Sequence, residues 1–340
     1  MRILVITPHI IDDSERCVFY NVDSKHHYIK RGIEKYFRSN NRIAYFINIL
    51  LTVISIRCGY RKLGIDLIIT HNNARIGFFV GLVNRLTFSR VNHVIWGFNV
   101  HKRYTGIKRW ISRFAFKHTR CLVVYSTHEK QIYSEKFSIP LNRFVFTHFS
   151  GPFLDDDRYR NLNKVQQNYI VSGGFSGRNY EFLSAVAAQL PEISFIVLPY
   201  PRTLEGISFS SNVKIVSRVP EIEYCQYIAN ARLFFLPIKN KTTASGHCAI
   251  VQTMCFKTPL LTHITEGTRD YLLPNINAAI YADGDVESAV ALIRKMYANK
   301  KDANVMAEKA FEFAKEYFSV ESQLVTLERI VSLVSIGNSE

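Results

Sequence analysis

The second half of the chain alternates two hydrophobic periods, and that alternation leaves few folds open. "NYIVSGG" (168–174) is a short apolar run ending in glycines, "NYEFLSAVAAQL" (179–190) repeats its apolar residues at helical spacing, and "SFIVLPY" (194–200) is strand-like again. Strands follow at "NVKIVSRV" (212–219), "RLFFLPI" (232–238) and "PLLT" (259–262), with helical patterns "EIEYCQYIANA" and "GHCAIVQTMCF" between them. Short strands linked by helices make βα units with right-handed crossovers, so the expected class is α/β with parallel sheets covered on both faces. The first half repeats the theme at 2–7, 65–70, 92–96, 120–125 and 143–147. The polar, aperiodic stretch 150–167 reads as a linker, and three helical segments run from 283 to the end. A chain of 340 residues accommodates two cores of about 150 residues each. The expected domains are therefore 1–160 and 161–310, followed by terminal helices over 311–340.

Charge divides along the same line. Residues 1–150 hold 24 Lys and Arg against 8 Asp and Glu, whereas 151–340 hold 19 against 20, so the first half carries the whole excess behind the net +15. The longest apolar-rich run, 43–56, is interrupted by Asn48, Thr52 and Ser55 and is shorter than the about 20 residues that span a bilayer. "MRILVITPHI" reads as a buried first strand and not as a signal peptide, which predicts a cytoplasmic protein. The six cysteines form no CxxC pair and no zinc spacing, so neither a disulfide framework nor a structural metal is expected.

Two turns in the second half have the composition of an anion site. Gly173 and Gly174 end a strand, and Ser176, Gly177 and Arg178 open the next helix. There glycine admits a ligand to the backbone, the helix start offers unpaired N–H groups, and arginine can fork onto phosphate oxygens. In "TTASGHCAIVQTMCFKTPLL" (242–261), Ser245 is a candidate N-cap and Gly246, His247 and Cys248 open a second helix. Ordinary βα turns use glycine too, but two such turns at carboxyl ends of strands in one open sheet favour a shared anionic ligand.

In their order and spacing, "SGGFSGRNYEFL", "NVKIVSRVPEIEYCQYIANARLFFLPI" and "SGHCAIVQTMCFKTPLLT" resemble the C-terminal domain of family-4 retaining glycosyltransferases of the GT-B fold. "DLIITHNNARIGFFVGLVNRL" and "TRCLVVYS" resemble the N-terminal domain more loosely. The resemblance implies two Rossmann-like domains facing across a cleft, with a C-terminal helix crossing back to the N-terminal domain. It implies a hexosyl transfer with retention from a nucleotide-sugar bound by the second domain to a glycan acceptor, probed by the first, in bacterial surface polysaccharide (O-antigen, capsule or lipopolysaccharide) assembly. Gly173, Gly174, Ser176 and Arg178 then face the diphosphate, Arg218 and Val219 the nucleobase, and Ser245 to Cys248 the phosphate or sugar. The family's paired glutamates fall on Ala244 and Gln252. Gln252 retains donors and acceptors for ribose hydroxyls, whereas Ala244 cannot replace a carboxylate. No cofactor and no metal is implied, and the "DDD" at 155–157, which sits in the expected linker, reads as solvated.

In the first half, His9, His71, Asn72, Asn73, Asn99 and His101 all follow predicted strands. His9, Asn99 and His101 are candidates to position the acceptor hydroxyl or accept its proton, with an ordinary loop role open for each. "VHKRYTGIKRWISRFAFKHTR" (100–120) combines nine His, Lys and Arg with a stripe of Ile107, Trp110, Ile111 and Phe114. That stripe suits either a helix lying on an anionic membrane or the inner face of a domain helix. The basic company it keeps favours the membrane and a lipid-linked acceptor, at the inner face of the cytoplasmic membrane. A basic protein binding nucleic acid or membrane on an inactive Rossmann-like scaffold is the alternative, but no nucleic-acid motif supports nucleic acid as a partner.

Overall fold

The computed structural model describes residues 1–7, 19, 27–32, 42–100, 105–151, 153–154, 156–162, 164–174, 177–200, 203–239 and 245–336. The chain divides into two compact units, one formed by Met1–Thr147 with Leu324–Glu340 and the other by His148–Gln323.

The first unit holds β1 (Arg2–Thr7), β2 (His27–Gly32), α1 (Arg42–Leu63), β3 (Leu67–His71), α2 (Ala74–Leu86), β4 (Asn92–Trp96), α3 (Gly106–Phe116), β5 (Cys121–Val124), α4 (Thr127–Phe137) and β6 (Phe144–Phe146). Its parallel sheet runs β2-β1-β3-β4-β5-β6. Strand residues alternate between faces, and each face finds its own cover. Leu4, Ile6 and Ile68 pack with Ile49 and Val53 of α1 and with Ile76, Val80 and Val83 of α2. Ile95, Leu122 and Val124 meet Phe116 of α3 and Tyr133 and Phe137 of α4. The opposite face, with Ile3, Val5, Leu67, Ile69, Val94 and Val123, is covered by Leu327, Ile330, Val331 and Val334. These four belong to α11 (Val320–Ile336), so the last helix completes the first unit, as the resemblance implied. β2 was missed because "HYIKRG" shows no apolar alternation; it is held at the sheet edge by its register with β1.

The second unit holds α5 (Asp157–Arg160), β7 (Tyr169–Gly174), α6 (Tyr180–Ala188), β8 (Ser194–Pro199), β9 (Val213–Ile215), α7 (Glu221–Asn230), β10 (Leu233–Leu236), α8 (His247–Cys255), β11 (Leu260–Thr262), β12 (Ala279–Ile280), α9 (Val286–Ala298) and α10 (Lys300–Tyr317). Its parallel sheet runs β12-β11-β10-β7-β8-β9. Ile170, Phe195, Val197, Leu233 and Phe235 pack with α6 and α9, while Val171, Phe234 and Leu236 pack with α7, α8 and α10.

The stretch expected to be a linker is folded into this unit. Phe153 and Tyr159 are buried, with ring centroids 5.9 and 6.5 Å from that of Phe256. Two aromatics in a polar background carry no period, which hid them. Asp156, expected to be solvated, is 7% exposed; its Oδ1 accepts the Arg158 N–H at 2.8 Å and its Oδ2 pairs with the Arg158 guanidinium at 2.6 Å. Asp157 stays exposed, 3.4 Å from Arg160, and Asp155 lies outside the described residues. Asp156 is thus the N-cap of α5. Its replacement by alanine should cost about 1–2 kcal/mol in urea unfolding and leave transfer intact; lost activity at unchanged stability would instead give the acidic run a catalytic role.

Candidate functional site

Sheet order brings the two glycine turns together. β7 pairs with β8 on one side and with β10 on the other, so the connections leaving β7 and β10 flank the point where the strand order reverses. Ligands of open parallel sheets bind at the carboxyl ends of strands at such a point. Backbone bonds stitch the two turns: Lys239 N–H donates to Gly177 O at 2.7 Å, Asn179 N–H donates to Pro237 O at 3.0 Å, and Arg178 bridges to Ile238.

Arg178 lies between the glycines. Its Nε donates to Gly173 O at 2.6 Å, which fixes the guanidinium plane. Gly174 has φ +102°, and a Cβ there would fall 2.5 Å from Arg178 Nη2. A Cβ on Gly246, at φ +90°, would stand 3.0 Å from Ile238 Cδ1 and 3.7 Å from Arg178 Nη1. Only glycine fits both the backbone and the space at these positions. The Tyr180 hydroxyl donates to Gly174 O at 2.5 Å, and burial pushes its pKa up to about 12, so it remains a donor. The Tyr224 ring lies over Gly173, with its hydroxyl 2.7 Å from where a Cβ would be. The turn's carbonyls are therefore occupied by side chains of its own unit, a rigid frame for an anion-binding backbone.

The structure changes the reading of the second turn. The N-cap of α8 is Gly246 and not Ser245, which is buried. A left-handed residue packed against Ile238 has no room for a hydroxymethyl group, so the N-cap residue itself offers the first-turn amides no side-chain cap. His247 turns its ring inward: it is 6% exposed, donates from Nε2 to Gly267 O at 2.6 Å and packs 4.4 Å from Tyr271. Burial holds its pKa down to about 4, so the imidazole is neutral and supports the 265–271 loop. Cys248 is exposed in the same first turn. Gln252 is 4% exposed and directs Nε2 at Cys225 Sγ, 3.6 Å away, so its amide lies among core residues and not on the surface.

Beside Gly174 opens a recess of about 410 Å³ lined by Tyr200, Val216, Arg218, Val219 and Tyr224. The structure thus gathers Gly174, Arg218 and Val219, singled out from separate stretches, around one cavity. Its volume falls within the about 300–1,000 Å³ of small-ligand sites. Tyr180, Tyr200 and Tyr224 were missed. Tyr180 and Tyr224 sit in helical patterns where a tyrosine counts as an apolar position, and only the hydroxyl geometry separates framework from filler.

In the first unit, Asn99 Oδ1 is buried without a hydrogen-bond partner among the described residues, beyond the carboxyl end of β4. Asn73 is the N-cap of α2, accepting from the Arg75 and Ile76 N–H groups. Asn72 Oδ1 accepts the Tyr125 hydroxyl at 2.6 Å. His71 meets Phe19 edge-on, and burial lowers its pKa to about 4. Glu266 pairs with Arg269 at 2.6 Å. His9, His101 and Ser176 lie outside the described residues. The stripe on α3 does not face inward: Ile107 is 78% and Trp110 67% exposed, while Ser112, Ala115 and Phe116 are buried.

Comparison with known proteins agrees with this architecture. Residues 205–313 match the family model of the glycosyl transferases group 1. A sucrose-phosphate synthase from Thermosynechococcus elongatus is 12% identical over 99% of this chain and 100% of its own, with a TM-score of 0.73. HepE from Anabaena, solved with UDP-glucose, is 13% identical over 98% of this chain and 99% of its own, with a TM-score of 0.68. A glycosyltransferase from Rickettsia africae is 13% identical over 98% of both chains, with a TM-score of 0.66. No curated protein matches the sequence. At these identities the likeness is one of fold, and the fold is GT-B: two Rossmann-like units on one chain.

Proposed function

We propose that this chain is a glycosyltransferase that moves a sugar from a nucleotide-sugar to a glycan acceptor. The observation that carries the proposal is the Arg178 guanidinium held between Gly174 and Gly246 beside a nucleotide-sized recess. In this reading Arg178 and the first-turn amides of α8 bind the diphosphate, and the recess at Arg218 and Val219 takes the nucleoside. As the sugar departs, negative charge grows on the diphosphate, where preorganised donors lower the barrier without a metal. The group 1 family match over 205–313 and the UDP-glucose complex of HepE support a nucleotide-sugar donor.

The finer reading is a retaining hexosyltransferase of O-antigen or capsule assembly, with a lipid-linked acceptor met at the inner face of the cytoplasmic membrane. Asn99, His9 and His101 remain its candidates for handling the acceptor, supported by the buried Asn99 Oδ1, which has no hydrogen-bond partner among the described residues. The exposed Ile107 and Trp110 in a basic unit support the anionic membrane surface. Thermal-shift screening against UDP-, GDP-, dTDP- and CMP-sugars tests the donor: one nucleotide class should raise the melting temperature, and no shift from any of them would contradict the proposal.

A further inference from the structure

A second recess, of about 340 Å³, lies in the first unit among the last turns of α2, α3 and α4 and is lined by Arg85, Trp110, Arg113, Phe114, Lys117 and Phe137. All of these lining residues belong to the first unit. Trp110 and Phe114 stack at 5.9 Å with 15° between their planes, and the Arg85 guanidinium lies over Phe114 at 5.1 Å. Between Asp66 and Glu129 the sequence contains ten Lys and Arg and no Asp or Glu. No carboxylate pairs with Arg85, Arg113 or Lys117 among the described residues.

Cations near helix C-termini often serve only to meet the terminal carbonyls. Here other arginines do so: Arg143 Nη1 donates to Lys117 O at 2.6 Å, and Arg109 Nε to Lys136 O at 3.0 Å. Arg113 and Lys117 stand four residues apart on one helix, a like-charge pair that is unfavourable alone. His118 reports the same field, since burial first and then Arg85, Arg143 and Lys117 hold its pKa below the ordinary value. Exposed apolar side chains adjoin the lining residues along the chain: Leu86 (62% exposed) and Phe88 (91%) follow Arg85, and Ile107 (78%) stands one helical turn before the lining residue Trp110 (67%).

We infer that the recess is a binding site for the phosphate headgroup of an anionic phospholipid, with Arg85, Arg113 and Lys117 on the phosphate oxygens and Ile107, Trp110, Leu86 and Phe88 reaching into the acyl boundary. A soluble phosphate ester would satisfy the cations but leave these four side chains in water, so the apolar rim selects the lipid. The inference rests on the membrane-surface reading above and gives it a discrete site, independent of the donor chemistry.

Sedimentation with phosphatidylcholine vesicles containing one-third phosphatidylglycerol tests it on the full chain. The triple variant R85Q/R113Q/K117Q should bind roughly tenfold more weakly, whereas R90Q/K108Q/R120Q, with the same charge change in the same unit, should stay within about threefold of wild type. The pocket variant gives up the contacts of Arg85 with Phe114 and with His118 Nε2, so a melting temperature lower by a few degrees is expected; loss of the cooperative melt would make the three cations structural and overturn the inference. Equal losses in both triples would overturn the discrete site while sparing the membrane reading. No vesicle binding by wild type would defeat both, as would stabilisation by inorganic phosphate without vesicle binding.

Discussion

Replacing Arg178 with alanine is expected to slow sugar transfer about a hundredfold, about 2.7 kcal/mol on the barrier, with the fold intact. The Arg178 side chain bonds the main chain at Gly173 near the end of β7, whose pairing with β8 is made by the strand backbones, so the sheet should keep its register without the guanidinium. What disappears is a planar donor whose Nη1 and Nη2 lie toward two different glycines. Lysine would restore the charge but not the fork, so Arg178→Lys should recover only part of the rate. Steady-state kinetics beside a thermal melt checks this result. A variant that folds and turns over near the wild-type rate would remove Arg178 from the site.

The second large effect belongs to Gly174. Valine there meets two obstacles: φ +102° is a backbone state that β-branched residues avoid, and its Cβ would fall 2.5 Å from Arg178 Nη2. The strain is about 1–3 kcal/mol, and it is relieved by displacing the turn or Arg178. Either displacement should raise the donor KM at least about tenfold while the acceptor KM holds. In R178A the clash is gone and only the backbone strain remains, so G174V should weaken donor binding less in R178A than in wild type. Additive losses would show that Gly174 acts independently of the guanidinium.

The sequence disclosed the fold where strands were apolar and bounded. "NHVIW" is β4 to the residue, and the glycine end of "NYIVSGG" is the carboxyl end of β7. It concealed β2, whose pairing with β1 is set by tertiary register and not by pattern, and the aromatic anchors Phe153 and Tyr159. At the site, glycine, arginine and helix start were visible as residue types, so Gly174, Arg178 and Gly246 emerged. Side-chain direction was not visible. One residue of sequence separates the Gly246 cap from the inward-facing His247, and helical spacing cannot show that Gln252 points at Cys225. The α3 stripe admitted two environments; exposure of Ile107 and Trp110 decided between inner face and surface.

The central claim is that the paired glycine turns and Arg178 bind a diphosphate. Titration calorimetry of wild type and Arg178→Ala with a nucleoside diphosphate and with the matching nucleoside measures it most directly. The account predicts that wild type binds the diphosphate at least about tenfold more tightly than the nucleoside, and that the gap closes in the variant while nucleoside affinity persists. Equal wild-type affinities for the two ligands, or a gap that survives loss of the guanidinium, would contradict it.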